Sequence, residues 1–279
     1  MPARAVDQGR PYTGAVALLD GRVLITGATG GLGGAIAEAF AAHGASLVLS
    51  GRRAEVLEPL ARRLRARAVV CDLAHRSELE RLVAEAGEID VLVANAALPA
   101  SGWLVELEQE EIDRMLEVNL RAPVALTRAL VPGMIARREG HVVLISSLAG
   151  KAASPASSIY SATKFGLRGF GLALRQDLAR RGVGVSVIAP GFIRDAGMFH
   201  DSGARLPPIA GGTKTPADVA GAVVRAIEEN RAEIEVAPAP LRVGAAVASL
   251  APGLAERASA RMGSERVAHD LARRHAGRS

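Results

Sequence analysis

Apolar residues gather in seven short runs along the chain: RVLIT (22–26), SLVLS (46–50), RAVVC (67–71), IDVLVA (89–94), HVVLIS (141–146), GVSVIA (184–189) and EIEVA (233–237). These runs are nearly continuous in apolar residues rather than alternating, the pattern of strands covered on both faces. Alanine-rich stretches of helical pattern separate them, and several carry end signals. Gly44 follows IAEAFAAH, Ser77 opens SELERLVAEA and Pro216 opens PADVAGAVVRAIEEN. Strand and helix in turn predict right-handed crossovers and an α/β fold, a doubly wound parallel sheet of about seven strands with helices on both faces.

No internal repeat breaks this order. At 279 residues, 49% of them hydrophobic, the chain is expected to close one sizeable core. Residues 1–20 lack a periodic pattern and are expected to be poorly structured. The α/β domain is expected over 21–238, and a helical extension over 239–279. In that extension Val243, Val247, Leu250 and Leu254 recur at helical spacing, and Leu254, Ala258 and Met262 continue the stripe. Pro252 and Gly253 should divide it into two helices, and Gly263 with Ser264 is a second break point. The stripe is poor in bulky and aromatic side chains, so packing on its own or a neighbouring subunit is ranked above docking on a membrane.

Composition removes several classes of function. A single cysteine, Cys71, allows no internal disulfide, and the six histidines have no ligand-like spacing, so a reducing, cytoplasmic location without a structural metal is expected. The longest runs free of charge, Val23 to Ala37 and Val91 to Val105, reach 15 residues, short of the ~18 needed to span a bilayer. The net charge is +5, but residues 256–279 hold six arginines against three acids. That concentration reads as a solvated basic tail, and no nucleic-acid partner is expected.

The chemistry sits where strands end. The first strand runs into TGATGGLGG, in which Thr26, Gly27, Gly31 and Gly33 have the spacing T-G-x-x-x-G-x-G with Thr29 and Leu32 between them, and a helix follows at once. Glycine is needed there so that the backbone can turn tightly, a pyrophosphate can approach main-chain N–H groups, and helix can pack on strand. The second strand ends in LSGRR. Ser50 and Gly51 stand where a fold preferring NAD(H) carries an acid for the ribose 2′-hydroxyl, and Arg52 and Arg53 follow. A guanidinium matches a 2′-phosphate, so NADP(H) is expected rather than NAD(H), with Arg52 the first contact.

One further spacing stands out against the composition. The chain has two tyrosines and, against 31 arginines, three lysines (Lys151, Lys164 and Lys214), yet Tyr160 and Lys164 lie four apart in IYSATKFGLRGF. Chance would produce that spacing in roughly one such chain in fifty.

From about Arg22 to about Val236 the chain resembles the short-chain dehydrogenase/reductase family, whose sheet is Rossmann-like. YSATK is similar to the family's Tyr-x-x-x-Lys catalytic pair. On a helix, residues four apart share a face, so the ammonium is expected to lie beside the phenol and to lower its pKa from ~10. The resemblance implies that Lys164 also reaches the nicotinamide ribose hydroxyls. It further implies that Ser147 in LISSLAG hydrogen-bonds the substrate oxygen, Ser146 being the neighbouring alternative, and that Asn119 in EVNLRAP holds a helix kink and a water leading to the lysine. At the cofactor it implies contacts from Asp72 and Leu73 in CDL, from Asn95, and from Pro190, Gly191 and Ile193 in PGFIRD.

Two positions depart from the family pattern. Ala97 in ANAA replaces a usual glycine and could crowd the adenosine ribose or shift it. Asp195 stands where a threonine commonly meets the carboxamide, and could weaken cofactor binding or turn away towards Arg194. The implied activity is an NADP(H)-dependent oxidoreductase working between a carbonyl and a secondary alcohol of a partly apolar small molecule, in a homodimer or homotetramer. The alternatives are an NADP(H)-binding sensor without turnover, and an epimerase or dehydratase. Residues 192–215 occupy the place of the family's substrate loop, where His200 is read as an exposed loop residue rather than a second acid.

Overall fold

The computed structural model describes residues 18–98, 102–195, 211–253 and 256–257. Seven strands, β1 (Arg22–Thr26), β2 (Ser46–Gly51), β3 (Arg67–Val70), β4 (Val91–Ala94), β5 (Gly140–Ile145), β6 (Val183–Pro190) and β7 (Glu233–Val236), form one parallel sheet in the order β3-β2-β1-β4-β5-β6-β7. The described helices are α1 (Gly31–Ala42), α2 (Ala54–Leu64), α3 (Arg76–Ala86), α4 (Gln109–Leu116), α5 (Ala122–Arg137), α6 (Ser158–Leu178), α7 (Pro216–Glu228) and α8 (Ala239–Leu250). The strand order reverses between β1 and β4, which opens a crevice at their carboxyl ends.

Successive strand residues point to opposite faces, and each face is covered. Val23 and Ile25 join one apolar cluster with Ile36 and Phe40 of α1 and Val219 to Ile227 of α7. Leu24 joins the other with Leu79 and Leu82 of α3, Leu126 and Met134 of α5, and Leu167 of α6. Burying each such side chain contributes about 1.5–3 kcal/mol, so both layers share in holding the sheet. β7 alternates Glu233, Ile234, Glu235, Val236 because it is the edge strand. IDVLVA is trimmed to Val91–Ala94 because Asp90 turns back on β1: its amide donates to the Arg22 carbonyl (2.8 Å) and its carboxylate accepts the Arg22 N–H (2.8 Å).

The helical stretch from Gln109 to Arg137 contains a π-turn at Glu117–Arg121. Pro123 has no N–H to donate to the Asn119 carbonyl four residues back, and the Ala122 amide instead reaches the Glu117 carbonyl five back. At α7, Pro216 occupies the first turn, and the Thr215 and Asp218 side chains close a capping box.

Of the segment 1–20 expected to be poorly structured, residues 1–17 lie outside the described residues, while Leu18 and Leu19 are buried in the cluster that holds Phe40. In the C-terminal extension, α8 ends at Leu250 and Pro252 opens a second helical segment. Leu254, Ala258, Met262, Gly263 and Ser264 lie outside the described residues, as do His200 and residues 196–210 of the substrate loop. The two ends of that loop are laced together: the Arg194 amide donates to the Lys214 carbonyl (2.8 Å) and the Lys214 amide to the Phe192 carbonyl (3.0 Å).

Candidate active site

The glycine-rich turn is built at the crevice. Gly27 has φ +66°, and a Cβ there would lie 2.7 Å from the Ala96 Cα. At Gly33, one turn into α1, a Cβ would lie 2.2 Å from the Gly27 carbonyl oxygen. Only glycine lets α1 sit this close to its own loop. No side chain caps the α1 N-terminus and its first turn holds no acid, so its N–H groups suit an anion. Thr29 and the half-buried Leu32 border the same turn.

Asn95 latches the turn across the crevice. Its side-chain amide donates to the carbonyls of Thr26 (3.0 Å) and Gly27 (3.2 Å), while the Thr26 hydroxyl accepts the N–H groups of Asn95 (3.1 Å) and Ala96 (3.2 Å). Sequence reasoning treated Asn95 as a cofactor contact. Its amide hydrogens bond the loop backbone, which also makes it a support for the cradle.

Tyr160 and Lys164 occupy successive turns of α6. Lys164 is 2% exposed; its Nζ donates to the Ile145 carbonyl (3.0 Å) at the end of β5 and lies 5.6 Å from the centroid of the Tyr160 ring. The phenol pKa is raised rather than lowered. Burial pushes Tyr160 up to about 12, the neighbouring Ser147 hydroxyl opposing it. Burial also brings Lys164 down to about 8.

Ser147 and Ser146 separate cleanly. The Ser147 hydroxyl accepts the Ala149 N–H (3.1 Å) and lies 3.4 Å from the Pro190 carbonyl, facing Tyr160. Ser146 is buried and donates to the Lys164 carbonyl (3.0 Å), locking α6 to β5. Asn119, 1% exposed, sits in the π-turn and brackets Leu98: its Oδ1 accepts the Leu98 N–H (2.7 Å) and its Nδ2 donates to the Leu98 carbonyl (3.0 Å). One amide hydrogen and one lone pair remain for a water.

Beside them Gly191 donates its N–H to the Val236 carbonyl (3.0 Å), and Ile193 is buried and bridged to Lys214. Pro190, Gly191 and Ile193 thereby place the end of β6 against Ser147. Asp195 lies outside this packing at φ +69°, paired with the Arg194 guanidinium at 3.4 Å.

At the other end of the crevice Arg52 and Arg53 are both exposed. Arg53 reaches back to the Thr29 carbonyl (3.0 Å), while Arg52 makes no ion pair with any described residue. The Asp72 carboxylate accepts the Ala74 N–H (3.0 Å) and the Arg114 guanidinium (2.6 Å). Leu73 is buried in the apolar cluster below the sheet, so only its main chain can face a ligand.

Residues 22–206 match the family described as short chain dehydrogenase. The chain belongs to the short-chain dehydrogenase family. It is 38% identical over 228 residues to the ketoacyl reductase HetN of Nostoc sp., covering 78% of this chain and 79% of that protein. It is 35% identical over 253 residues to dehydrogenase/reductase SDR family member 7B of Bos taurus, covering 83% and 78%. Among solved structures it is similar to a short-chain dehydrogenase from Sphingobium yanoikuyae in complex with NADPH, with TM-score 0.73 and 28% identity, covering 85% of this chain and 95% of that one. A metagenomic short-chain oxidoreductase in complex with NADP has TM-score 0.67 and 32% identity, covering 80% and 98%.

Like its relatives, this short-chain dehydrogenase is an oxidoreductase acting on CH–OH and C=O groups of small molecules, and its family binds NAD(P). The glycine cradle, the uncapped α1 N-terminus and the two exposed arginines fit such a dinucleotide. Sequence reasoning missed three supports of the dehydrogenase site: the Thr26–Asn95 latch, Arg114, and an ion cluster beside Ser147. In that cluster Lys151 binds Glu233 (2.9 Å) and Glu235, and Arg168 of α6 binds Glu233 (2.6 Å). The Ser249 hydroxyl of α8 donates to the Lys151 carbonyl (2.9 Å). Lys151 carried the same signal as Lys164, a lysine in a chain that favours arginine. No helix among the described residues is long and apolar enough to cross a membrane, and none of their His, Cys, Asp and Glu side chains group as a metal site.

Proposed function

We propose that this dehydrogenase is an NADP(H)-dependent carbonyl reductase for a partly apolar small molecule. The carrying observation is the convergence of Ser147, Tyr160 and the buried Lys164, whose ammonium lies 5.6 Å from the Tyr160 ring, at the carboxyl end of the sheet that also carries the glycine cradle. Bound NADPH would supply the hydride. Ser147 would donate its hydroxyl to the substrate oxygen as negative charge develops there. Tyr160, held in its acid form up to about pH 12, would then hand its proton to that oxygen, since an alkoxide is far more basic than a phenolate. Lys164, charged at neutral pH, would return a proton to the tyrosine, and Asn119 would hold the π-turn and one water in place. A phenol kept protonated is in the state that the reductive step requires.

The NADP(H) preference is supported by Arg52, which makes no ion pair with any described residue, by Ser50 and Gly51 in place of an acid, and by the two similar structures solved with NADPH and NADP. Ketoacyl compounds are the substrates to try first, because relatives are named as a ketoacyl reductase and as 3-oxoacyl-[acyl-carrier-protein] reductases. A homo-oligomer in a reducing, cytoplasmic location belongs to the same reading. Its support is the buried free thiol of Cys71 and the exposed face of α8 formed by Val243, Val247 and Leu250. The test follows NADPH absorbance across a panel of ketoacyl thioesters, ketones and aldehydes with wild type and Tyr160→Phe. The expected result is net consumption that falls by ~10²–10⁴-fold in the variant, with NADPH affinity retained. Tight NADPH binding without consumption across the panel would select the sensor, and substrate conversion without net consumption the epimerase or dehydratase.

A further inference from the structure

The carboxyl ends of β2 and β3 lie side by side: Gly51 is in register with Val70, and the Cys71 amide donates to the Gly51 carbonyl (3.1 Å). Arg52 and Asp72 therefore leave the sheet as neighbours of opposite charge. An exposed arginine next to a carboxylate ordinarily pairs with it, yet Arg52 makes no ion pair with any described residue. The carboxylate is already engaged. Its Oδ1 accepts the Ala74 N–H, and its Oδ2 accepts Arg114, which arrives from α4, 42 residues further along the chain. Burial pushes the Asp72 carboxyl up, but the Ala74 amide, Arg114 and Arg52 outweigh it and hold it below the usual carboxylate range. Arg52 thus feels the carboxylate without being captured by it.

We infer that Arg114 is a positioning residue for dinucleotide choice, occupying and neutralising Asp72 so that Arg52 stays available to a 2′-phosphate. The inference rests on the NADP(H) reading above. Without Arg114, two effects act in the same direction. Asp72 turns to Arg52, the guanidinium beside it, and its uncompensated charge repels the 2′-phosphate of NADPH but no corresponding group of NADH. Arg114 is only partly buried, with 38% of its side chain exposed, and α4 has its own capping box at Glu108 and Glu111, so the helix can survive its replacement.

The test measures dissociation constants of NADPH and NADH from the enhancement of nucleotide fluorescence, for wild type, Arg114→Leu, Arg114→Lys and the double variant Arg114→Leu/Asp72→Asn. Contacts to the adenine are common to both nucleotides and cancel in the ratio. Wild type is expected to prefer NADPH, and Arg114→Leu to lower that preference about tenfold, equivalent to ~1.4 kcal/mol. Arg114→Lys should retain most of the preference, and removing the carboxylate in the double variant should restore it. An unchanged ratio in Arg114→Leu overturns the inference, as does a double variant that stays as poor as the single one, since Arg114 would then act by some route other than Asp72. A wild type with no preference overturns the NADP(H) reading itself, a result distinct from either.

Discussion

Lys164 should lower the stability of the protein at neutral pH, and replacing it with methionine should show by how much. The unfolded lysine keeps its proton up to its ordinary 10.5, whereas the folded one, buried against the end of β5, gives it up at about 8. Between those values the unfolded chain binds more protons, so this group makes the fold more stable as pH rises from 8 to 10.5 and costs it roughly 3 kcal/mol at pH 7. Methionine fills a similar volume and carries no charge. It also forfeits the bond from Nζ to the Ile145 carbonyl, and leaving that acceptor unpaired costs ~1–3 kcal/mol. The offset between Lys164→Met and wild type at pH 7 is therefore small, with the variant equal to or up to about 2 kcal/mol above wild type. The pH dependence of that offset is the sharper quantity. From pH 7.5 to pH 10 it should move by roughly 2 kcal/mol in favour of wild type, because only wild type sheds a buried charge. Urea denaturation of both proteins at several pH values measures it, and taking the difference cancels every other titrating group. Turnover of the variant should fall by orders of magnitude at all of these pH values. An offset that stays flat from pH 7.5 to 10 would refute the reasoning, since Lys164 would then titrate in the fold as it does in water.

Three other outcomes follow from single contacts. Gly33→Ala drives a methyl to within 2.2 Å of the Gly27 oxygen, so loop and helix must separate; NADPH affinity by calorimetry should fall ~10-fold or more, and a value within about twofold of wild type would mean that this turn is not the cradle. Asn119→Ala removes both partners of the Leu98 backbone and should cost about 2–5 kcal/mol in urea denaturation, with unchanged stability showing that Leu98 finds other partners. His141, buried and bonded to Ser186 (2.8 Å), is brought down from 6.5 to about 3 by burial, assisted by Arg175; the unfolded chain binds its proton first, so stability should fall by up to ~1.4 kcal/mol per pH unit as pH drops from 6.5 towards 3, and His141→Gln should flatten that slope.

The strands, the glycine turn and the Tyr160–Lys164 pair could be read from the sequence because each depends on neighbours within a few residues. A run of apolar residues covered on both faces, a turn that only glycine can make, and a four-residue step along one helix are all local constraints. The π-turn was legible in principle for the same reason, since Pro123 removes the N–H that an α-helix would need at Asn119. What the tertiary structure decided is who meets whom across the chain. Asn95 serves Thr26 and Gly27 from 69 and 68 residues away, Arg114 takes the carboxylate of Asp72 from 42 away, and Lys151 joins Glu233 from 82 away. No periodicity encodes such meetings; they exist only once the sheet has set its order of strands. Proton affinity is of the same kind. The sequence places an ammonium near Tyr160, but a phenol also responds to the water it has lost, and that is a property of the tertiary packing.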